Sequence, residues 1–280
     1  MADALRRDSH DLALRLACLT ARGPTPAPIE RPVRAMGLRF PSPLGIAAGF
    51  DRHGRLGRCA GALGFGCNEI GSIDLATTSE LAFPPQQAGS ARLGLNLNID
   101  PACSLAALCS GLNRAWPLAD YLMLNLINPA SAALLDEEQR PLLRQILAGL
   151  RAQQRLLDQQ GRRVPLAVKL RCLAGQVPLA LAELLLELGY DGLLAAHDPG
   201  PPATAQRYRA WQNATQQEQA CAQIEQLRRL CGGQLALLSV GGIQSAEHLD
   251  ARLAAGAELV QVHSVLLHGG PWQAPHLLAG

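Results

Sequence analysis

Residues 239–264 read SVGGIQSAEHLDARLAAGAELVQVHS and carry the pattern that decides the fold. An apolar strand ends in the pair Gly241 and Gly242, a segment of helical periodicity follows, and a second apolar strand ends at Ser264. Two glycines at a strand end let a phosphate approach backbone amides, and the N-terminus of the next helix favours an anion. The pattern predicts a β-α-β unit with a phosphate site, although a tight turn that needs glycine also explains the pair.

The same alternation of strand and helix patterns runs along the rest of the chain. Segments with apolar residues three or four apart separate the short apolar runs, so the sequence predicts a (β/α)8 TIM barrel. A doubly wound open sheet would carry an early Gly-x-Gly-x-x-Gly, which the sequence IAAGFDRHG after the first run lacks. The eight runs lie at 43–49, 65–72, 92–98, 120–126, 165–170, 191–197, 234–242 and 258–264, and the helical segments at 52–63, 137–160, 177–189, 214–230 and 245–256.

Residues that close the eight runs are the candidate site, because active sites of this fold lie at the carboxyl ends of the strands. They are mostly small residues and amides, with no acid pair for glycoside hydrolysis and no carboxylate and histidine cluster for a metal ion. Such residues suit a flat, polar, phosphorylated cofactor. In chain order they are Ala47, Ala48, Gly49, Gly71, Ser72, Asn96, Asn98, Asn125, Lys169, His197, Gly241, Gly242, His263 and Ser264.

Lys169 is the only lysine in a sequence with 25 Lys plus Arg residues. In an arginine-rich background, a retained lysine indicates a place where a planar guanidinium does not fit, although chance survival is the alternative. On the fifth predicted strand, a compact ammonium ion would stabilise negative charge on the pyrimidine end of a reduced flavin.

The composition is that of a globular protein that acts on small molecules. Of 280 residues, 48% are hydrophobic and 17% charged, which is enough for a sizeable core. The net charge of +2 without a basic stripe argues against nucleic acid as a partner. Eight scattered cysteines without a Cys-x-x-Cys pair indicate thiols in a reducing compartment.

The N-terminal part predicts one amphipathic helix within residues 9–19, followed by a Pro-rich linker. Acidic residues in the first 19 positions and the lack of a long apolar run argue against a signal sequence or a membrane span, so a cytoplasmic location is expected. The predicted division is residues 1–35 for the helix and linker and residues 36–280 for the barrel. The remaining histidines, including His10, are expected to be solvated or capping residues.

From about residue 8 onward the sequence resembles the dihydroorotate dehydrogenase family, and its quinone-linked class more than the soluble classes. The resemblance is strongest in MGLRFPSPLGIAAGFDRHGRLGRCAGALGFGCNEIGSI, PLAVKL, YDGLLAAH and the segment that begins LLSVGGIQSAEHL. It implies bound flavin mononucleotide (FMN), a small-molecule substrate and a quinone acceptor. The implied FMN contacts are Ala47, Ala48, Gly49, Ser72, Asn96, Asn125, Lys169, Gly241, Gly242, His263 and Ser264.

The run RLGLNLN, residues 92–98, has two interpretations within the family. It could match the family's Asn-Asn substrate loop between strands two and three, but barrel closure favours strand three. The segment before it is then too short to hold that loop.

The resemblance also exposes departures at the substrate site. The family's catalytic serine base falls on Asn128 in LNLINPAS, and an amide cannot accept a proton at accessible pH. The family's substrate amide becomes Ala130, and Ser131 is the only hydroxyl nearby.

Other substrate contacts change as well. The family's substrate lysine becomes Arg52, which could still pair with a carboxylate, and Asn125 is the second expected substrate contact. After strand six, an amide and hydroxyl pair becomes His197 and Asp198, and AWQNATQQEQA replaces the expected Gly-rich phosphate loop.

The sequence therefore predicts an FMN flavoprotein like dihydroorotate dehydrogenase, with impaired or lost oxidation of dihydroorotate and weakened FMN binding. Two alternatives stay open: a non-catalytic relative that serves as a binding or assembly partner, and a barrel that binds another phosphorylated molecule. The quinone-linked class has a pair of N-terminal helices, and one is predicted here. Peripheral membrane contact through this helix is one expectation, and a helix that simply packs under the barrel is the alternative.

Overall fold

The computed structural model describes residues 2–24, 30–76, 88–173, 175–197 and 204–279, with side chains from residue 9 onward. Eight parallel strands close into a barrel in the order β10-β3-β4-β5-β6-β7-β8-β9, which confirms the predicted (β/α)8 fold. The barrel strands are β3 (Leu44–Ile46), β4 (Cys67–Asp74), β5 (Arg92–Asn98), β6 (Tyr121–Asn125), β7 (Leu166–Arg171), β8 (Gly192–Ala196), β9 (Ala236–Val240) and β10 (Leu259–Val262).

The run at residues 92–98 is therefore the third barrel strand. It pairs in parallel with β4 on one side and with β6 on the other, with Asn96 opposite Met123. The barrel closes only with this strand in place, so the alternative of a substrate loop is wrong.

Side chains alternate between the barrel interior and the surrounding helices, because successive residues of a strand point to opposite faces. On β9, Leu238 packs in the interior cluster, whereas Leu237 packs in the cluster shared with the helices. Both faces are buried, which explains why the runs read as continuously apolar.

Helices connect the strands and cover the barrel. The predicted segment 52–63 is a 3-10 helix, Gly57–Leu63, rather than an α-helix, and the α-helix Leu105–Ala115 was not anticipated. The α-helices are α1 (Ala2–Arg22), α2 (Leu105–Ala115), α3 (Arg140–Asp158), α4 (Leu179–Leu188), α5 (Ala205–Ala210), α6 (Ala214–Cys231), α7 (Ala246–Ala254), α8 (Ser264–Gly269) and α9 (Gln273–Leu278).

An antiparallel hairpin of β1 (Val33–Ala35) and β2 (Leu38–Phe40) closes the amino end of the barrel. Phe40 is fully buried against Tyr121, with ring centroids 6.1 Å apart. The hairpin spans the predicted boundary after residue 35, and that division stays a prediction. The central part of the Pro-rich linker, residues 25–29, lies outside the described residues.

In the described part of the chain, each helix is too short or too polar to cross a membrane.

Candidate active site

The carboxyl ends of the barrel strands bring most of the predicted site residues together. Gly49 N–H donates to the Gly71 carbonyl, and Ala47 N–H donates to the Val262 carbonyl, so the ends of β10, β3 and β4 meet at one edge. Asn125 and Lys169 are register partners on β6 and β7. We call this end of the barrel the mouth.

A continuous chain of side-chain hydrogen bonds crosses the mouth, and we call it the amide belt. Asn125 Nδ2 donates to Asn98 Oδ1 at 3.1 Å and to Ser72 Oγ at 3.2 Å. Asn98 Nδ2 donates to Asp74 Oδ1 at 3.1 Å. Ser72 Oγ donates to Asn96 Oδ1 at 2.6 Å, and Asn96 Nδ2 donates to Glu69 Oε1 at 2.7 Å. The members of the belt are Glu69, Asn96, Ser72, Asn125, Asn98 and Asp74.

The belt fixes what each amide can offer a ligand. Both Nδ2 hydrogens of Asn125 are used within it, and Asn125 Oδ1 accepts from Ile127 N–H at 3.1 Å. Asn125 therefore has no donor left for a substrate, whereas Asn96 and Asn98 keep one N–H each.

Lys169 supplies the main free donors of the mouth. It points into the barrel and is 9% exposed, and no carboxylate oxygen in the described part of the chain lies within 4.0 Å of its amine. Burial lowers the pKa of Lys169, and the charge of Glu69 opposes this shift. A ligand over Lys169 must therefore present acceptors or negative charge.

Glu69 and Gln261 lie one layer below the mouth, and the sequence analysis missed both. Each is fully buried, and Gln261 Nε2 donates to Glu69 Oε2 at 2.7 Å. The available signal was a polar residue inside an apolar run: Glu69, next to Asn68, in FGCNEIGS and Gln261 in ELVQVHS.

The predicted phosphate turn has the backbone that its glycines allow. Gly241 has φ +112° and Gly242 has φ +82°, both in the left-handed region. The backbone N–H groups of Gly242, Ile243 and Gln244 donate to no residue that the structure describes. Three adjacent free donors are suited to an anion.

Trp211 covers one side of that turn. A Cβ atom on Gly242 would lie 2.2 Å from Cε3 of the indole, and Gln217 Nε2 bridges the carbonyls of Trp211 and Gly242 at 2.9 and 2.7 Å. Trp211 belongs to the segment that replaces the expected Gly-rich loop. An anion must reach the amides from a side that the indole leaves open.

His10 joins the site from the N-terminal helix, so the expectation that it is solvated or caps a helix is wrong. Its Nε2 lies 2.9 Å from the Gly49 carbonyl, and its ring stacks on His263 with centroids 6.2 Å apart. Helix α1 therefore packs beside the mouth. Burial, with the charges of His10, Lys169 and Arg52, lowers the pKa of His263 to about 4, so this ring is neutral at pH 7.

The ends of the chain segments around the mouth differ slightly from the predicted ones. Strand β10 ends at Val262, His263 follows it, and Ser264 begins α8. Arg52 follows β3, and its charge contributes to the lowered pKa of His263, which places it near the mouth. Because Arg52 is exposed, it remains available to a carboxylate.

Asn128 and Ser131 are tied into a turn rather than aimed at the mouth. Asn128 caps the 3-10 helix Pro129–Leu135: its Oδ1 accepts from Ser131 N–H at 3.0 Å, and its Nδ2 donates to the Asn125 carbonyl at 2.6 Å and to Ser131 Oγ at 2.7 Å. Ser131 is fully buried, and its hydroxyl donates to the Ile99 carbonyl at 2.6 Å. Neither side chain is placed to accept a proton from a ligand.

His197 does not face the mouth, and its inclusion among the strand-end candidates is wrong. Its Nδ1 lies 2.7 Å from Gln223 Oε1 on α6, and its Nε2 lies 3.1 Å from Ser239 Oγ on β9. The even-numbered residues of β8 face the interior, so position 197 points toward the helices. Asp198, its predicted neighbour, lies outside the described residues.

Acid should destabilise the protein through His197. Burial first, and then Arg252, lowers its pKa to about 3 from 6.5. Below pH 6.5 the unfolded chain takes up a proton that the folded chain refuses, so stability falls as the pH drops, by about 1.4 kcal/mol per unit. Thermal unfolding of His197→Gln at pH 7 and pH 5 should show a smaller loss than the wild type, and parallel losses would contradict the assignment.

The residues at the mouth fit the flavin that the resemblance implies. Lys169 has free donors for an acceptor-rich ring edge, and the amides of residues 242–244 have free donors for a phosphate. The FMN contacts themselves stay a prediction.

Comparison with known proteins gives a consistent family. The family model described as dihydroorotate dehydrogenase matches residues 78–280. The dihydroorotate dehydrogenase (quinone) of Thermobifida fusca is 33% identical over 291 residues, which cover 86% of this chain and 76% of that protein. The dihydroorotate dehydrogenase (quinone) of Xanthomonas campestris pv. campestris strain B100 is 30% identical over 310 residues, which cover 94% of this chain and 88% of that protein. The crystal structure of DHODH from Eimeria tenella in complex with ferulenol matches with a TM-score of 0.71 at 23% identity, over 98% of this chain and 89% of that chain, which shows the shared fold.

Proposed function

Because the chain belongs to the dihydroorotate dehydrogenase family, we propose that it binds FMN and that its oxidation of dihydroorotate to orotate is impaired or lost. The family acts in pyrimidine biosynthesis, so dihydroorotate or a related small molecule is the proposed substrate class. A quinone is the proposed electron acceptor, since the similar curated proteins are named as quinone enzymes.

The proposed FMN site runs across the mouth. The residues that would hold the ring are Lys169, Asn96, Ser72, Asn125, Ala47, Ala48 and Gly49. The residues that would hold the phosphate end are Gly241, Gly242, His263 and Ser264. When bound, the flavin would accept a hydride and pass electrons on. Lys169 would stabilise negative charge at the ring edge, and the amide belt would keep the neighbouring amides in one orientation.

The hydrogen-bonded turn of Asn128 and Ser131 is the observation that carries the proposed loss of activity. Dihydroorotate oxidation needs a base at the carbon to be deprotonated, and Asn128 has no basic atom. The Ser131 hydroxyl is buried and bonded to the Ile99 carbonyl. This observation equally favours the second candidate, a non-catalytic relative that binds a partner.

Substrate binding is changed on other sides as well. Asn125 has both N–H groups committed to the amide belt, and His197 faces α6. Arg52 remains exposed beside the mouth and is the proposed contact for a substrate carboxylate.

The N-terminal helix supports a peripheral membrane contact, which stays part of the proposal. Leu12, Leu16 and Leu19 are 58%, 38% and 69% exposed. Their spacing places them on one face of α1, as in helices that lie in a membrane interface.

An absorbance spectrum of the purified protein tests the proposal. Flavin absorbance, with FMN released on denaturation in near-equal amount to protein, is the expected result. A colourless protein that takes up no added FMN would favour a binding role without flavin.

Replacing Lys169 tests the ring end of the site. Lys169→Met keeps an unbranched side chain that ends one atom short of the ammonium and removes the charge. FMN affinity should therefore fall about 10- to 100-fold, the loss expected for one charged hydrogen bond. Fluorescence titration of flavin-free protein with FMN measures this. Lys169→Arg keeps the charge but brings a planar guanidinium, so its FMN affinity should fall as well if the compact ammonium is what the site needs. Equal affinity of wild type and Lys169→Met would show that the lysine is a chance survivor.

A further inference from the structure

Glu69 is a carboxylate in the centre of the barrel. It is 0% exposed, and its oxygens accept hydrogen bonds from Asn96 Nδ2 at 2.7 Å, Gln261 Nε2 at 2.7 Å and Tyr121 OH at 3.4 Å. All four side chains point inward from β4, β5, β10 and β6. A buried carboxylate is costly unless it is hydrogen-bonded and balanced by a positive charge. Three donors supply the hydrogen bonds, and Lys169 brings a buried positive charge into the same barrel from β7.

Lys169 and Glu69 influence each other without forming an ion pair. The described residues place no carboxylate oxygen within 4.0 Å of the Lys169 amine, yet the charge of Glu69 raises the pKa of Lys169 against the larger lowering effect of burial. Coulomb attraction acts over such distances when water is excluded. A direct ion pair would have used the ammonium hydrogens that face the mouth.

The other charged or titratable groups around Lys169 supply no negative charge at neutral pH. His263 faces it from the end of β10 and is neutral, with a pKa of about 4. Tyr121 lies in the interior of β6, and burial raises its pKa well above the ordinary value. Arg171 follows on the same face of β7, and its guanidinium donates to the Ile127 carbonyl. Among the described residues, Glu69 is the carboxylate whose charge acts on Lys169.

We propose that Glu69 is a positioning residue that keeps Lys169 protonated from below without contacting it, so that the ammonium hydrogens stay free for a ligand at the mouth. The electrostatic effect of Glu69 on Lys169 does not require a bound flavin. Its use toward a flavin rests on the proposed function.

The single lysine allows a direct measurement. In full-length protein grown with lysine labelled with ¹³C at Cε, one protein signal should arise, and its chemical shift against pH gives the Lys169 midpoint. In flavin-free wild type, Lys169 should be protonated at pH 7. In Glu69→Gln the midpoint should fall by about one to two pH units.

Glu258→Gln is the matched control. Glu258 is a partly buried carboxylate paired with Arg228 just before β10, at the amino end of the barrel, and its removal should leave the Lys169 midpoint unchanged. Circular dichroism of each variant separates this effect from a change of fold. If the protein binds no FMN but the midpoint moves as stated, the proposed function fails and the role of Glu69 stands.

Two results overturn the inference: a Lys169 already neutral at pH 7 in the wild type, or an unchanged midpoint in Glu69→Gln. If Glu69→Gln does not fold, Glu69→Asp replaces it, because it withdraws the carboxylate by one methylene and keeps the charge. A smaller fall of the midpoint supports the proposal in that variant, and no fall overturns it.

Discussion

On anaerobic mixing with dihydroorotate, the FMN-loaded protein is expected to keep its flavin oxidised. Loss of a general base costs about 10² to 10⁴ in rate, and the altered substrate contacts add to that loss. Flavin bleaching and orotate formation, with a quinone or dye as acceptor, measure the rate. The Thermobifida fusca relative, 33% identical, is the positive control. Bleaching at the rate of that control would show that another group reaches the proton.

Asn128→Ser alone should not restore oxidation. A serine at position 128 would engage its hydroxyl as the cap for Ser131 N–H, as Asn128 does now, and His197 would still face α6 instead of the substrate. The same anaerobic assay tests this variant. Recovery of bleaching would show that Asn128 is the main cause of the loss and that the other departures matter little.

Gly242→Val should both destabilise the protein and abolish FMN retention. A side chain at φ +82° is strained, and its Cβ would lie 2.2 Å from Trp211 Cε3. Together these effects should cost about 3 kcal/mol. Displacement of the turn would also misplace the free amides of residues 242–244. Thermal unfolding and flavin content after gel filtration measure the two losses.

Gly233→Val is the control for the loss of a glycine. A Cβ at Gly233 would meet no atom within 4 Å, so this variant should keep stability and flavin. If Gly242→Val kept the same stability and flavin content as Gly233→Val, the turn would not hold the phosphate, and the Trp211 side chain would move aside without loss of stability.

The sequence predicted the barrel because each strand is a short apolar run bounded by polar or small residues. It also predicted the mouth residues that close those runs, such as Asn96 and Lys169. It placed His197 wrongly, because the end of a run does not reveal which face its last residue occupies. The strand register decides that face, and register depends on neighbours distant in the chain.

Other parts of the site had no local signal. His10 reaches Gly49 across 39 positions of sequence, so its contact depends on how α1 packs. Glu69 and Gln261 were missed because they lie one layer below the strand ends, where only the closed barrel brings them together. The 3-10 helix Gly57–Leu63 read as an α-helix, since both have apolar residues three apart.

Each hydrogen bond of the amide belt has one donor and one acceptor, and the two ends of the belt decide which residue donates in each bond. Glu69 and Asp74 are both carboxylates, and an ionised carboxylate can only accept. A chain with acceptors at both ends must contain one member that donates both ways, and Asn125 holds that position. Aspartate at position 125 would set a carboxylate oxygen against the acceptor Asn98 Oδ1 on one side and against the acceptor Ser72 Oγ on the other. Serine at position 125 could donate to only one of these two atoms. The polarity of six residues on three strands thus depends on one primary amide.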